Sequence, residues 1–240
     1  MEALPGISHG FLGRVGGVST GPYASLNLSG RVGDDPASVR RNRELVQKET
    51  GRPLCLVKQI HSDLILKIKD PGDYDRSQEE ADALVTGLPG IPLAVLTADC
   101  LPVLLVDPAR RCVAAVHAGL KGTLAGICAK TVERLKTEYA SQPSDLYAAV
   151  GPGIGSCCYQ IEASRLTEKK AFSSCLNRTG DSRKISFDLR KANQTQLEQT
   201  GVKKIYHLRY CTSCRSDKFF SYRAGKGVTG RFVSYIMLDE

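Results

Sequence analysis

Residues 93–119 read LAVLTADCLPVLLVDPARRCVAAVHAG, and this stretch decides the fold class. It contains three runs that are apolar at successive positions, Leu93–Thr97, Val103–Val106 and Cys112–His117. Such runs are typical of strands buried on both faces of a sheet, because a strand with one solvated face alternates apolar and polar residues. The stretch therefore predicts the centre of a sheet that is covered on both sides.

Further strand-like runs lie on both sides of this centre. The first 30 residues are rich in Gly and Ser and are typical of short strands joined by tight turns. The other strand-like runs are Leu54–Ile60, Leu64–Ile68, Leu146–Val150, Phe219–Arg223 and Phe232–Leu238.

Three helices are predicted between the strands. The sequence Asp34-Asp35-Pro36 is typical of a helix N-cap followed by proline in the first turn. The helix should run to about Thr50 and stop at Gly51. We expect a single α/β domain over the whole chain, with a mixed β-sheet flanked by helices, because helices and strands are interspersed and no linker divides them. The two other helices are predicted over Lys121–Tyr139 and over Phe187–Thr200, the latter beginning near Asp188.

The composition is that of an ordinary globular protein, with 42% hydrophobic and 24% charged residues in a chain of 240. The most apolar stretch, Ile91–Val106, contains Asp99 and two prolines, so we expect no membrane span. The N-terminal sequence MEALPGISHG lacks a basic segment followed by an apolar one, which argues against a secretory signal. Nine cysteines are an odd number, and in this context they predict free thiols in a cytoplasmic protein.

The net charge of +8 is concentrated in the last third of the chain. Residues 165–240 contain sixteen basic and seven acidic residues, whereas the two signs nearly balance before them. A basic face suits an anionic partner, although it can equally be a solvated surface. No nucleic-acid module is recognisable and only 6% of the residues are aromatic. A small molecule that carries phosphate is therefore the favoured anion over nucleic acid.

Three strand-like runs end at residues that can bind a metal or take part in catalysis, in the sequences KQIH, TADC and VHAG. These residues are His61, Cys100 and His117, with Asp99 beside the cysteine. Because α/β folds place their sites at strand ends and in the loops that follow, the side chains can converge at one edge of the sheet. Two histidines and one cysteine suit zinc, and three protein ligands leave a fourth position open, as in catalytic zinc sites.

The same residues permit other interpretations. Cys100 and a histidine can act as nucleophile and base, with Asp99 orienting them or only capping a turn. Blue copper uses two histidines, a cysteine and a distant methionine, which only Met1 or Met237 could supply. A buried thiol beside two hydrogen-bonded histidines would be purely structural. Multicopper laccase chemistry needs more histidines than the four in this chain, His9, His61, His117 and His207.

Other short motifs give weaker signals. Cys211-Thr-Ser-Cys214 is a single CxxC, and a structural zinc site would need two more ligands, which only Cys157-Cys158 could add in space. We interpret these thiols as packing or near-surface residues, because the following residues do not have the helical pattern of a thioredoxin-like pair. The Gly-rich turns HAGLKG and GPGIG can offer backbone N–H groups to an anion, with Lys121 adding a charge in the first.

Seven motifs, taken in order, resemble one known family. They are GGVSTGPYASLNLSGRVGDDP, KQIH, ADALVT, TADCLPVLLVD, VHAGLKGTLAGI, AAVGPGIGSCCYQI, and FFSYR followed by TGR. Together they cover nearly the whole chain. The chain therefore resembles the YfiH-type family, also called the laccase-domain or polyphenol oxidase family, whose members are single-domain α/β proteins unlike true laccases.

The resemblance implies one zinc ion held by His61, Cys100 and His117. It implies a purine nucleoside phosphorylase that cleaves adenosine and inosine with phosphate to free base and ribose 1-phosphate. It further implies methylthioadenosine phosphorylase and adenosine deaminase activities at the same site. Asn27 and Arg43 would line the nucleoside or phosphate pocket. The polyphenol oxidase name disagrees with the histidine count, and ligand softness and number favour zinc over copper.

One motif departs from the family pattern. Most members have HAGWRG where this chain has HAGLKG, so Leu120 replaces an aromatic ring and Lys121 replaces a guanidinium. We therefore expect an altered substrate preference or rate. Under the leading hypothesis, Arg43 and Lys121 hold phosphate, zinc polarises substrate or orients the attacking oxygen, and Asp99 transfers a proton.

Two alternative functions are compatible with the same residues. Some relatives are proposed to edit wrongly built cell-wall precursors, and a Cys–His pair suits the amide hydrolysis that such editing needs. A copper-dependent polyphenol oxidase is the less favoured alternative. The expected partners are thus a purine nucleoside and phosphate, with no nucleic acid and no membrane, and the protein should be a monomer or a small homo-oligomer.

Overall fold

The computed structural model describes residues 4–70, 74–166 and 170–240. Their strands are β1 (Ile7–Phe11), β2 (Leu56–Lys58), β3 (Ile65–Lys67), β4 (Asp75–Glu80), β5 (Ala83–Thr86), β6 (Leu93–Thr97), β7 (Leu101–Asp107), β8 (Cys112–Ala118), β9 (Tyr147–Val150), β10 (Gln160–Glu162), β11 (Leu176–Arg178), β12 (Lys184–Phe187), β13 (Lys204–His207) and β14 (Phe232–Leu238). Their α-helices are α1 (Pro36–Thr50), α2 (Leu120–Ala125), α3 (Ile127–Tyr139) and α4 (Leu189–Gln199).

A six-stranded mixed sheet forms the centre of the fold, in the order β13-β9-β7-β8-β5-β3. β13 is parallel to β9 and β3 is parallel to β5, whereas the other pairs are antiparallel. Every residue of β7 and β8 is buried. The mixed sheet predicted from the sequence is confirmed, and its two central strands, β7 and β8, come from the stretch predicted to be covered on both faces. The first run of that stretch, β6, belongs to a second sheet instead.

The two faces of the central sheet pack against different partners. Val103 and Leu105 of β7 belong to a cluster that includes Val132 of α3 and Leu197 of α4. Leu104, which lies between them in the chain, belongs instead to a cluster with residues of β6 and β14. Strands β1, β14 and β6 form a second, antiparallel sheet. Because side chains alternate along a strand, β7 faces helices on one side and this second sheet on the other.

The helix ends follow their capping residues. The carboxylate of Asp35 accepts hydrogen bonds from two backbone N–H groups of the first turn of α1, and Gly51 ends that helix at φ 70°. The carboxylate of Asp188 caps α4 by accepting one backbone N–H, that of Lys191. The helix predicted over Lys121–Tyr139 is in fact two helices, α2 and α3, because Gly126 adopts φ 84° between them.

The prediction of a strand over Phe219–Arg223 is wrong. Its apolar residues pack in a small aromatic cluster in which Phe220 is fully buried, which explains the misleading pattern. Its backbone follows a turn, and the N–H of Arg223 donates to the carboxylate of Asp99 rather than to a neighbouring strand. The strand predicted over Leu54–Ile60 is confined to the three residues of β2.

The remaining elements are short. β2 pairs with β4, and β10, β12 and β11 form a small sheet of their own. Of the first 30 residues, those described form β1 and one 3₁₀ turn, Gly21–Tyr23, so the predicted series of strands there is reduced to one. Within the described ranges, no helix is both long and apolar enough to cross a membrane.

Candidate functional site

The three predicted ligands come together at one end of the central sheet. His61 lies in the turn after β2, Cys100 immediately precedes β7, and His117 is in β8. Because β7 and β8 are antiparallel neighbours, with Pro102 opposite His117, the start of one strand lies beside the end of the other. The ligand atoms of the three side chains lie within 4.8 Å of one another. The two imidazole rings meet edge to face, with centroids 4.8 Å apart.

Asp82, immediately before β5, orients both histidines. Its Oδ1 lies 2.7 Å from His117 Nδ1 and accepts the backbone N–H of His61 at 3.0 Å. Its Oδ2 accepts the backbone N–H and the hydroxyl of Ser62 at 2.6 and 2.7 Å, and the N–H of Ile60 at 3.2 Å. Three successive N–H groups therefore turn toward one carboxylate, and His61 adopts φ 61°. This turn ends the predicted strand early and directs the imidazole of His61 toward the site.

The Asp82–His117 contact prepares His117 for a metal. Since the carboxylate holds Nδ1, Nε2 is the nitrogen that remains available as a ligand atom. The Asp82 side chain is fully buried. Burial alone would raise the pKa of its carboxyl, but the hydrogen bonds and charge of His117 and the bonds from Ser62 lower it to about 2. Asp82 is therefore an ionised group behind the imidazole, which is a recurrent arrangement at metal sites.

Cys100 and His117 stabilise each other's charged forms. Burial raises the pKa of the Cys100 thiol, but the imidazoles of His117 and His61 outweigh it and lower that pKa to about 6. Burial likewise lowers the pKa of His117, yet the Cys100 thiolate and Asp82 raise it to about 9. The thiolate is the form that binds metals and attacks electrophiles. Without a metal the pair is thus a thiolate and an imidazolium. An ion that displaces the imidazolium proton would meet one thiolate and two imidazoles, a donor set that suits a borderline-soft divalent ion.

Gly119 makes room for this group. A Cβ atom at this position would lie 3.0 Å from Cys100 Sγ and 3.1 Å from His61 Cδ2. Such contacts are tighter than side chains normally tolerate, so any larger residue would displace the ligands. The glycine is thus required by the close approach of the thiolate and the imidazole.

Gly119→Ala is expected to lower the metal content of the purified protein well below that of the wild type while the fold is retained. The added methyl group pushes against two ligands at once, and ligand misplacement weakens metal binding. Metal analysis by mass spectrometry and the far-ultraviolet circular dichroism spectrum give the two readouts. Gly180→Ala is the matched control, because a Cβ there meets nothing within 4 Å. An unchanged metal content in Gly119→Ala would contradict the assignment of the ligands.

A cavity of about 660 Å³ opens beside the three ligands, within the range of small-molecule sites. Lys121 lines it, is exposed, and makes no hydrogen bond or ion pair with any described residue. Besides the ligands, the wall has five basic side chains and one carboxylate: Arg31, Lys121, Arg165, Arg223, Arg231 and Asp99. This excess of positive charge favours an anionic group in the cavity.

Asp99 forms hydrogen bonds with neighbouring loops through both its side chain and its backbone. Its carboxylate accepts the hydroxyl of Thr212 and the backbone N–H of Arg223, both at 2.7 Å, and its carbonyl accepts the N–H of Ile154. Its φ of 97° is unusual for a residue other than glycine. Asp99 therefore ties the β6–β7 turn, which carries Cys100, to two other loops of the cavity wall. Proton transfer by this carboxylate stays a prediction.

Asn27 and Arg43 lie behind the cavity wall. Asn27 is fully buried, its amide donates to Ser29 O and Asp34 Oδ2, and its oxygen accepts the N–H groups of Ser29 and Arg231. Arg43 donates to a backbone carbonyl of the same loop at 3.0 Å. Neither belongs to the cavity lining formed by the described residues. Both hold the loop that contributes Ser29 to the wall, and direct contact with substrate stays a prediction.

Aromatic and apolar groups complete the cavity. Leu120, at the position where the family resemblance led us to expect a ring, lines the wall and is largely buried. Two tyrosines supply rings instead. The guanidinium of Arg223 lies 5.6 Å from the ring centre of Tyr159, and that of Arg231 lies 5.8 Å from the ring centre of Tyr222. Burial raises the pKa of Tyr159 to about 12, so its phenol is neutral.

The sequence reasoning missed several of these residues as part of the site. Asp82 is the one charged residue in ADALVT, at the head of a buried strand, and that position was the signal that could have identified it. Tyr222 and Arg223 lie in the motif FFSYR, and Arg231 lies in TGR. Tyr159 follows Cys157-Cys158 in a loop, where no pattern marks it.

The ligand set for blue copper is not assembled by the described residues. Met237, one of the two possible axial ligands, is in β14 and does not line the cavity, and Met1 lies outside the described residues. His9 in β1 and His207 in β13 join neither of the groups of potential metal ligands found among the described residues. Among the described residues, the cavity therefore contains one group of three potential metal ligands.

Comparison with known proteins gives a consistent set of relatives. A sequence profile described as "Multi-copper polyphenol oxidoreductase laccase" matches residues 8–239. The chain is 36% identical to "Purine nucleoside phosphorylase SCO2081" of Streptomyces coelicolor over 241 residues, covering 99% of this chain and 98% of that one. It is 36% identical to "Purine nucleoside phosphorylase YfiH" of Escherichia coli over 232 residues, covering 94% and 91%. The crystal structure of the Bacillus licheniformis hypothetical protein YfiH aligns with a TM-score of 0.90 and 34% identity, covering 97% and 92%.

Proposed function

This chain belongs to the YfiH-type family described as multi-copper polyphenol oxidoreductase laccase, and on that premise we propose that it is a purine nucleoside phosphorylase. One observation carries the proposal: a single cavity joins a three-ligand metal group to an excess of basic side chains and two tyrosine rings. The names of the relatives support the same activity. The substrates would be purine nucleosides such as adenosine and inosine, together with phosphate.

Phosphate is held at the basic part of the cavity. Lys121 and Arg165 are exposed cations of the cavity lining. Arg223 and Arg231 are less mobile, because both donate to backbone carbonyls of the surrounding loops. Fixed guanidinium groups position an anion, and a flexible lysine adapts to it.

The nucleoside occupies the remaining part of the cavity. The rings of Tyr159 and Tyr222 offer faces on which a purine can stack, and Leu120 and Ile154 supply apolar walls. Leucine in place of a large ring widens this part of the cavity. The altered substrate preference expected from the sequence would follow from that extra space.

Zinc is the proposed metal, because one thiolate and two imidazoles form a three-ligand set with an open position, as in catalytic zinc sites. When bound, it would supply Lewis-acid polarisation of a substrate oxygen. His61, Cys100 and His117 would hold it. None of the nine cysteines is in a disulfide, which supports the proposed cytoplasmic location because thiols stay reduced there.

In the proposed reaction an oxygen of phosphate bonds to C1′ of the ribose while the bond from C1′ to the purine nitrogen breaks. The electron pair of that bond leaves with the base, which takes up the proton that hydrogen phosphate gives up, and ribose 1-phosphate is the second product. Lys121 and the arginines neutralise and orient the phosphate as it approaches C1′. Asp99 keeps Cys100 and the loop of Ile154 in place during the reaction, through the bonds described above.

Incubation of protein of known metal content with adenosine or inosine, with and without phosphate, tests the proposal. We expect adenine or hypoxanthine together with ribose 1-phosphate, resolved by chromatography, and no base without phosphate. Conversion of adenosine to inosine without phosphate would show the deaminase activity that the resemblance implies. Metal-loaded protein that releases no base from either nucleoside would contradict the proposal.

Lys121→Met is expected to raise KM for phosphate about fivefold with a smaller change in KM for the nucleoside. The substitution keeps the length of the side chain and removes only its charge, and a partly solvated charge contact is worth about that factor. Steady-state kinetics with phosphate as the varied substrate measures it. Lys48→Met, at an exposed lysine near the end of α1, is the control. Equal increases in both KM values would argue against a role in phosphate binding.

A cysteine hydrolase is the second candidate, and one observation favours it. Cys100, His117 and Asp82 form a chain of thiolate, imidazole and carboxylate, which is the arrangement of a cysteine nucleophile with its base and orienting acid. Such an enzyme would cleave an amide of a cell-wall precursor without metal. Amide hydrolysis by chelated protein that has lost phosphorolysis would favour this candidate, whereas loss of both activities on chelation would exclude it.

A further inference from the structure

A second group of thiols lies outside the cavity lining. Cys157 and Cys158 are in the loop after β9, and Cys211 and Cys214 are in the loop after β13. Because β9 and β13 are parallel neighbours, both loops leave the same edge of the sheet. The sequence interpretation left these residues as separate packing or near-surface thiols, and the structure corrects it. The neighbouring strands bring the two pairs together.

The four sulfur atoms have the spacing of a metal site. All four lie within 4.8 Å of one another, and Cys214 Sγ is 3.4 Å from Cys158 Sγ and 3.7 Å from Cys157 Sγ. Four thiolates around zinc, each about 2.3 Å from the ion, place their sulfur atoms about 3.8 Å apart. All four cysteines are free, so no disulfide accounts for their proximity. One ion at the centre accounts for all of them.

The backbone around the thiols is already arranged as in such sites. The N–H of Gly155 donates to Cys211 Sγ at 3.2 Å, which is the kind of bond that supports a coordinated thiolate. The two loops also pair directly, since Gly153 and Cys211 form a parallel bridge and the N–H of Thr212 donates to Gly153 O at 3.1 Å. The donor atoms are therefore held in place by backbone contacts that do not depend on the metal.

Positive charge surrounds the group. Arg223 donates to the carbonyl of Cys158 at 2.8 Å, and Arg190 donates to carbonyls of Gly151, Leu208 and Tyr210 in the two loops at 3.2 to 3.3 Å. A divalent ion with four thiolates carries a net charge of −2, and two neighbouring guanidinium groups offset it.

From this geometry we infer that Cys157, Cys158, Cys211 and Cys214 bind one zinc ion in a structural site separate from the three-ligand group. Four protein ligands close the coordination shell, so the site has no open position for substrate. Each thiol gives up its proton on binding. The ion joins the loops after β9 and β13 and thereby supports one wall of the substrate cavity.

A hydrogen bond links the two sites. Thr212, between the cysteines of the CxxC, donates its hydroxyl to Asp99, the neighbour of Cys100. Ile154, in the loop that leads to Cys157, lines the cavity and donates its N–H to the carbonyl of Asp99. Metal in the four-cysteine site would therefore stabilise the turn that carries the catalytic thiolate.

Metal stoichiometry tests the inference without reference to activity. Protein purified in the presence of zinc and then freed of loosely bound ions should contain two zinc ions per chain by mass spectrometry. His61→Ala should contain one and Cys214→Ser should contain one, because each removes a ligand from a different group. Cys175→Ala, which removes a buried thiol that belongs to neither group, should retain both.

Cobalt provides a readout for the intact four-cysteine group. Cobalt bound to metal-depleted His61→Ala should give the intense thiolate charge-transfer bands of a four-sulfur tetrahedral site, and Cys157→Ser should weaken them. A wild-type protein with one zinc ion that His61→Ala removes completely would overturn the inference. So would a disulfide within the group in freshly isolated protein, seen as resistance to alkylation and a mass lower by two hydrogens. Neither result bears on whether the protein is a phosphorylase.

Discussion

Cys100→Ala is expected to remove the metal of the three-ligand group and to lower kcat/KM for phosphorolysis about a thousandfold. The thiolate is one of three ligands, and its low pKa shows that the two imidazoles favour its charged form. Two histidines that remain without it bind a divalent ion weakly. Loss of Lewis-acid assistance is worth several kcal/mol, and a thousandfold corresponds to about 4 kcal/mol.

The measurements are metal content and the phosphorolysis rate of the same preparation. Cys175→Ala should leave both unchanged, because Cys175 is a buried core thiol outside the site. A Cys100→Ala protein that keeps its metal and its rate would show that the thiolate is not a ligand. A protein that keeps the metal yet loses phosphorolysis would show that the thiolate acts in the reaction other than as a metal ligand.

Asp82→Asn is expected to weaken metal binding ten- to a hundredfold and to destabilise the fold by about 3 kcal/mol. The carboxylate accepts bonds at both oxygens, from three backbone N–H groups, the hydroxyl of Ser62 and His117. An amide would turn an NH₂ group toward some of these donors. In a chain of this length such a loss lowers Tm by about 10 °C.

The same substitution changes the pH dependence of stability in metal-free protein. The pKa of Asp82 is lowered to about 2 in the folded protein, against about 3.9 for an unfolded chain. A lowered folded pKa means that the ionised carboxylate stabilises the fold. That contribution, about 2.6 kcal/mol, is complete above pH ~5 and is lost as the pH falls to 2 and below. Asp82→Asn should therefore lose stability less steeply on acidification than the wild type.

Urea unfolding of chelated protein at pH 6 and at pH 3 measures this difference. Asp107→Asn is the matched control, since Asp107 is an equally buried carboxylate at the end of β7 that accepts two backbone N–H groups of a turn. Asp107→Asn should lower the free energy of unfolding without reducing the metal content. Equal acid dependence in the wild type and Asp82→Asn would contradict the role assigned to the Asp82 carboxylate.

The central architecture was predictable because its signals are local. The apolar runs of β6, β7 and β8 are buried on both faces, and the capping residues of α1 mark both of its ends. The convergence of His61, Cys100 and His117 followed from their common position at strand ends. The resemblance to a known family supplied the nucleoside and the phosphate, which no pattern of residues contains.

The features that could not be predicted depend on contacts between distant segments. The role of Asp82 depends on hydrogen bonds from the backbone of Ser62, twenty residues earlier, and with the imidazole of His117 on β8, which pairs with β5 in the sheet. The four cysteines meet only because β9 and β13 are neighbours, which their sequences do not state. Phe219–Arg223 has the composition of a strand, but Asp99 takes the backbone N–H that a strand would have used.

The position of Cys100 between two sheets has a mechanical consequence. β6 belongs to the three-stranded sheet and β7 to the six-stranded one, and the thiolate lies in the three-residue passage between them. His117 is a residue of the larger sheet, and Asp82 bonds to the turn of His61, although Gln59 also bonds that segment to Leu96 of β6. A sliding of one sheet over the other would therefore stretch the ligand group. The buried side chains that pack between the two sheets, among them Leu104 and Val95, limit such sliding. They thereby keep the thiolate at a fixed distance from the imidazoles.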